Sequence, residues 1–111
     1  MVVREVSIFL KPNSRADFEE IFEEQVLPIL RIQPGFRHQL TLAAEGGAHV
    51  TIICVWDSKQ LANRYETTAY MGVLKKLDHL LADVPTVRLA TVISSTLQNA
   101  ASVAVASGEP K

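Results

Sequence analysis

His49-Val50-Thr51-Ile52-Ile53-Cys54-Val55-Trp56 is a run whose two parities are both apolar. In an extended chain Val50, Ile52 and Cys54 fall on one side, and Ile53 and Val55 on the other. Such a strand belongs in the middle of a sheet with something covering each face. Just before it, Glu45-Gly46-Gly47-Ala48 supplies the glycine pair of a tight hairpin. Before that, Phe36, His38, Leu40 and Leu42 alternate with Arg37, Gln39, Thr41 and Ala43, the pattern of an edge strand with one buried face. A two-residue loop at Gly46-Gly47 sets His38 beside Val55 and Arg37 beside Trp56. A slip of one residue would turn every side chain of the second strand to the opposite face.

Working outward, Val2 to Leu10 reads as a first strand, ended by Lys11-Pro12-Asn13. Asn13 or Ser14 caps a helix that carries Phe18, Ile21, Phe22, Val26, Ile29 and Leu30 on one side. Glu19, Glu20, Glu23 and Glu24 lie on the other, a solvated face rather than a pair of working carboxylates. Pro28 interrupts that helix and bends its last turn, and Pro34-Gly35 ends it. Asp57 or Ser58 caps a second helix with Leu61, Tyr65, Thr68 and Ala69 on its inward stripe. Gly72 weakens or breaks it, and a continuation from Val73 to Leu81 carries Leu74, Leu77, Leu80 and Leu81. After Pro85, Val87 to Ile93 forms a fourth strand.

The order β-α-β-β-α-β predicts an α+β, ferredoxin-like fold: four antiparallel strands with two helices on one face. Residues 1–96 make one domain, and 97–111, poor in bulky side chains, a flexible C-terminal tail or arm. Helices can cover only one sheet face, so the apolar far side of the third strand asks for a second copy packed sheet to sheet as a homodimer.

Composition narrows the function classes. The 111 residues leave room for a single core, and eleven Lys+Arg against twelve Asp+Glu give no excess charge to hold a nucleic acid or an anionic membrane surface. No apolar stretch approaches the roughly 18 residues of a membrane span. A mean hydropathy of +0.15 is high for a small soluble chain and agrees with a covered sheet face. The single Cys54 inside a buried strand fits a reducing, cytoplasmic setting. Three dispersed His and one Cys give no zinc spacing, and neither a phosphate-binding glycine loop nor a G-x-S-x-G elbow is present.

The segment Val26-Leu27-Pro28-Ile29-Leu30-Arg31-x-x-Pro34-Gly35-Phe36, followed by the hairpin and then Val55-Trp56-Asp57-Ser58, resembles the antibiotic biosynthesis monooxygenase (ABM) family of dimeric α+β barrels. The likeness spans roughly residues 3 to 95. It implies a homodimer and, in many members, oxygenation of phenolic or quinol-like molecules without metal or flavin: a substrate anion reacts with dioxygen in a dry pocket. On that resemblance the function is a cofactor-independent monooxygenase acting on an aromatic small molecule. The alternative is a non-catalytic small-ligand-binding or stress-associated dimer of the same fold.

The candidate site residues are Trp56, Tyr65 and His38. Trp56, matched to the family's strand-ending Trp, is either a pocket wall or a core aromatic closing the sheet–helix corner. Tyr65 either hydrogen-bonds a substrate oxygen or packs in the core with its hydroxyl at the rim. His38 shares the alternation of Phe36, Leu40 and Leu42 and points into an apolar layer, the helix-covered cavity or the dimer interface, as a base or as a hydrogen-bonded core histidine. His49 starts the third strand and His79 lies on a polar flank; both read as solvated. Arg88, in the fourth strand, is either an anion anchor or a guard against edge pairing. The haem-opening branch of the family joins the Trp with an Asn on the first strand and a His on the second helix. Here Val6-Ser7-Ile8 and Tyr65-Glu66 stand at those places, so no haem and no other cofactor is expected.

Overall fold

In the computed structural model, which describes residues 1–97, alternation in the first strand sorts residues between two environments. Strand β1 (Val2–Phe9) buries Val2, Arg4, Val6 and Ile8 and turns Val3, Glu5, Ser7 and Phe9 to the other side. It lies between β3 (His49–Trp56) and β4 (Thr86–Thr91), and β2 (Phe36–Ala43) closes the far edge, giving an antiparallel sheet in the order β2-β3-β1-β4. β3 is central and β2 an edge, as their patterns predict. Of the expected tail, residues 98–111 lie outside the described residues.

All helical segments pack on one face. α1 (Arg15–Ile21) runs into a π-helical turn, Phe22–Val26, and then α2 (Leu27–Arg31). The predicted bend at Pro28 is thus a widened turn. Proline cannot donate an amide hydrogen, and its ring crowds the carbonyl four residues back; the Leu27 amide here bonds five residues back, to the Phe22 carbonyl. Ser14 precedes α1, but its side chain makes no capping hydrogen bond. In contrast, the Ser58 hydroxyl accepts from the Leu61 amide and starts α3 (Lys59–Thr68).

Gly72 does not end that helix. The interruption falls three residues earlier, at Ala69 (φ −121°), and α4 (Tyr70–Leu77) carries Gly72 in its first turn. Thr67 and Thr68 both donate their hydroxyls to the Arg64 carbonyl. That side-chain competition for a backbone acceptor, in a β-branched pair, weakens the helix there. A 3-10 turn, Asp78–Leu80, leads towards β4.

Two further departures concern the hairpin. Ala44 donates to the His49 carbonyl, so the loop has four residues, Glu45 to Ala48, rather than two. The register survives, with His38 opposite Val55 and Ala43 opposite Val50, but a bulge at Arg37 brings Phe36 opposite Trp56. Phe36 therefore shares the helix-covered face with Trp56, whereas His38, Leu40 and Leu42 occupy the helix-free face with Val55, Ile53 and Thr51. An added residue reverses side-chain parity, which is why an unbroken alternation misassigned Phe36.

At Gly35 (φ +80°) the chain turns from the first helical layer into β2, and its carbonyl accepts from the Asp57 amide. A methyl there would lie 2.9 Å from Leu61 Cβ and closer still to Leu61 Cδ1. Gly35→Ala is expected to cost about 2–3 kcal/mol, from the left-handed backbone and the overpacking together. Urea denaturation checks it, and Leu61→Ala should relieve part of the cost, giving a coupling of at least about 0.5 kcal/mol.

Candidate functional site

The even positions of β1 and β3 that face the helices are apolar except at Arg4. A charged residue on the buried parity of a strand needs partners, and this one has an unusual set. Arg4 is 3% exposed. Its guanidinium carbon sits 4.1 Å from the Tyr70 ring centroid and 5.5 Å from that of Tyr65. Nε donates to Glu66 Oε1 at 3.4 Å, a long contact to a carboxylate that is half exposed. Nη2 is buried with no acceptor among the described residues.

These groups border a narrow, largely apolar cleft between sheet and helices whose free volume is about 30 Å³, room for about one water molecule. Arg4 and Cys54 line it from the sheet, Phe22 and Val26 from the π-helical turn, and Tyr65 and Tyr70 from either side of the Ala69 break. The helix interruption is what lets both tyrosines face the cleft, since five residues of continuous helix would point them about 140° apart. Irregular helical turns thus flank it on two sides.

Trp56 is fully buried and lies behind this surface rather than on it. Its ring stacks on Tyr65 at 5.1 Å and meets Phe36 edge-on at 5.6 Å. The indole Nε1 has no acceptor among the described residues. Tyr65 and Tyr70 continue the ladder at 6.2 Å. Of the three residues singled out from the sequence, Trp56 and Tyr65 come together. His38 does not join them: it is exposed on the opposite face of the sheet, in a shallow groove with Val3, Leu40, Ile53 and Val55.

Burial pushes the Cys54 thiol up to about 12, against a smaller opposing pull from Arg4. Burial likewise drives the Tyr65 phenol well above its ordinary value, with Arg4 again opposing. Both groups therefore keep their protons across the neutral range, as donors rather than bases. Among the described residues, Arg4 is the only charged one lining the cleft.

Elsewhere, His49 exchanges a 2.6 Å hydrogen bond with the Ser7 hydroxyl and stacks on Phe9 at 4.5 Å, so it is half-buried rather than free in solvent. His79 is exposed in the 3-10 turn. Arg88 donates to Glu5 across β1 and β4 on the helix-free face, at 2.9 Å from Nε and 2.5 Å from Nη2. Among the described residues no group of three His, Cys, Asp or Glu side chains is placed to hold a metal ion, and no helix is long and apolar enough to cross a membrane.

Arg4 and Tyr70 are the residues that sequence reasoning missed. Arg4 interrupts Val2-x-Arg4-x-Val6-x-Ile8, and that break in parity was the available signal. Tyr70 carried none, because its placement depends on the helix break.

The profile described as antibiotic biosynthesis monooxygenase matches residues 1–77. Solved structures share the fold, three among them as follows. A monooxygenase from ActVA-Orf6 of Streptomyces coelicolor, in complex with nanaomycin D, is 22% identical with a TM-score of 0.72, covering 86% of this chain and 90% of that one. SnoaB, a cofactor-independent oxygenase from Streptomyces nogalater, is 21% identical with a TM-score of 0.70, covering 86% and 96%. A protein of unknown function from Nitrosomonas europaea is 15% identical with a TM-score of 0.73, covering 86% and 92%. No curated protein sequence matches the chain. At such identities the structural likeness speaks for the fold; it is the profile match, over more than half of the 111 residues, that shows this chain to be a member of the antibiotic biosynthesis monooxygenase family.

Proposed function

We propose that the protein is a cofactor-independent monooxygenase that oxidises an aromatic or quinol-like molecule in the cleft between sheet and helices, whose walls part to admit the ring. The observation that carries this reading is the aromatic wall: Tyr65 and Tyr70 face the cleft, with Trp56 stacked behind Tyr65. Flat rings are recognised by such surfaces through stacking, and the two fold relatives named as oxygenases support it as analogy. In this reading the Tyr65 hydroxyl donates to a substrate oxygen, Trp56 holds Tyr65 in place, and the apolar walls exclude water while the electron-rich substrate reacts with dioxygen. We assign His38 to the helix-free face, and with it a sheet-to-sheet homodimer; Val3, Leu40, Ile53 and Val55 supply the apolar surface for that packing.

Oxygen uptake with an anthrone or naphthoquinol substrate tests the reading. The wild type should consume oxygen faster than the spontaneous reaction, and Tyr65→Phe should lower kcat/KM by about tenfold or more while melting unchanged. The second reading, a non-catalytic ligand-binding dimer, is favoured by the want of a neutral-range base in the cleft, since Cys54 and Tyr65 keep their protons. Ligand binding without oxygen uptake would decide for it.

A further inference from the structure

We propose that the closed cleft holds one monatomic anion, chloride or a related halide, against Arg4 as a built-in part of the fold. Such a site belongs to the cleft with its walls together and does not depend on a ring ever entering it. The free volume of about 30 Å³ is too small for an organic molecule and has room for one water, or for an ion little larger. Arg4 borders that space, is 3% exposed, and lies with its guanidinium carbon 4.1 Å from the Tyr70 ring centroid. The ring attracts the cation without occupying its five N–H donors. Glu66, half exposed, accepts from Nε at a long 3.4 Å, and Nη2 is buried without an acceptor among the described residues. A desolvated cation with a spare donor is costly to keep. Water and a halide both fit the volume, and the lining separates them. Among the described residues, the polar side chains around the space are the Arg4 guanidinium, the Cys54 thiol and the Tyr65 and Tyr70 phenols; no carboxylate, amide or imidazole lines it. Burial keeps the thiol and the Tyr65 phenol protonated, so the lining is rich in donors. A water has two protons of its own to place on acceptors, whereas a halide only accepts. The halide also answers the charge on Arg4, and in so apolar a space that attraction is weakly screened.

Thermal unfolding at constant ionic strength tests this, with gluconate, too large for the space, exchanged stepwise for chloride or bromide. The wild-type Tm should rise by about 5 °C or more by about 100 mM halide, following the logarithm of its concentration as mass action on a folded-state site requires. Glu66→Gln, at a half-exposed position, removes the neighbouring negative charge and should lower the fitted chloride Kd by about threefold. Arg4→Met, which fills similar volume without a buried charge, should abolish the rise. Crystals grown in bromide should show an anomalous peak beside Arg4 Nη2. Equal Tm in chloride and gluconate overturns the site, as does a rise that survives in Arg4→Met. So does a Kd unmoved in Glu66→Gln, or a water beside Arg4 with bromide bound elsewhere. None of these results touches the oxygenase reading, which oxygen uptake decides separately. Should Arg4→Met fail to fold, the Glu66→Gln shift and the position of the bromide decide.

Discussion

Trp56→Ala is expected to lower the unfolding free energy by about 3–5 kcal/mol, the cost of removing a large aromatic side chain from a filled core. Trp56 is the largest fully buried side chain, wedged between Phe36 and Tyr65 at the corner where β3 passes into α3. A small domain has only about 5–15 kcal/mol to lose, so the alanine variant should unfold at a much lower urea concentration with an unchanged slope. Trp56→Phe should cost far less, about 1 kcal/mol. The smaller ring leaves a gap, but the unpaired buried indole N–H is gone and stacking on Tyr65 is retained. A loss below about 1 kcal/mol in Trp56→Ala would refute the corner as the anchor of the core. The same argument disqualifies Trp56→Ala as a probe of catalysis, because a fall in activity would follow from unfolding. Tyr65→Phe changes a single hydroxyl and is the informative substitution.

The fold was legible because it rests on local rules that sequence obeys openly. β3 showed its central place by having no polar parity, Gly35 marked a turn that only a left-handed residue makes, and Ser58 and Pro34 punctuated helices with their usual chemistry. The site was legible only in part, because its assembly depends on irregularities. The bulge at Arg37 costs one residue of register and sends His38 and Phe36 to opposite faces; nothing in Phe36-Arg37-His38 distinguishes a bulged strand from a regular one. The helix break at Ala69 arises from two threonine hydroxyls turning back on the Arg64 carbonyl, whereas the more conspicuous Gly72 is accommodated within α4. Arg4 was visible as a charge among Val2, Val6 and Ile8, but its meaning depends on Tyr65, Tyr70 and Glu66, which are more than sixty positions away in the chain.

Ile53→Asp is expected to abolish the sheet-to-sheet homodimer proposed above. The physical case begins with the helix-free face, where Leu40 and Leu42 are each 49% exposed around the partly buried Ile53 and Val3. Glu5, directly opposite Ile53, is neutralised there by Arg88, and Ser7 with His49 lies toward one end of the face. An apolar patch whose charged neighbours are already paired is what a subunit interface needs. In an isologous dimer each substitution enters twice. Two carboxylates at the centre would each lose hydration at a cost of about 2 kcal/mol or more, so the dissociation constant should rise by about a thousandfold. Within one subunit Ile53 already contacts solvent, so far-UV circular dichroism of the variant should match the wild type. Glu20→Lys, a larger charge change of two units against one, on the exposed side of α1, should leave association unaltered. Sedimentation equilibrium reads all three: wild type and Glu20→Lys at twice the mass of the 12.2 kDa chain, Ile53→Asp at once that mass. A wild type that sediments as a monomer at high concentration, or an Ile53→Asp variant that remains paired, would refute the sheet-face dimer and leave the apolar far side of β3 to some other cover.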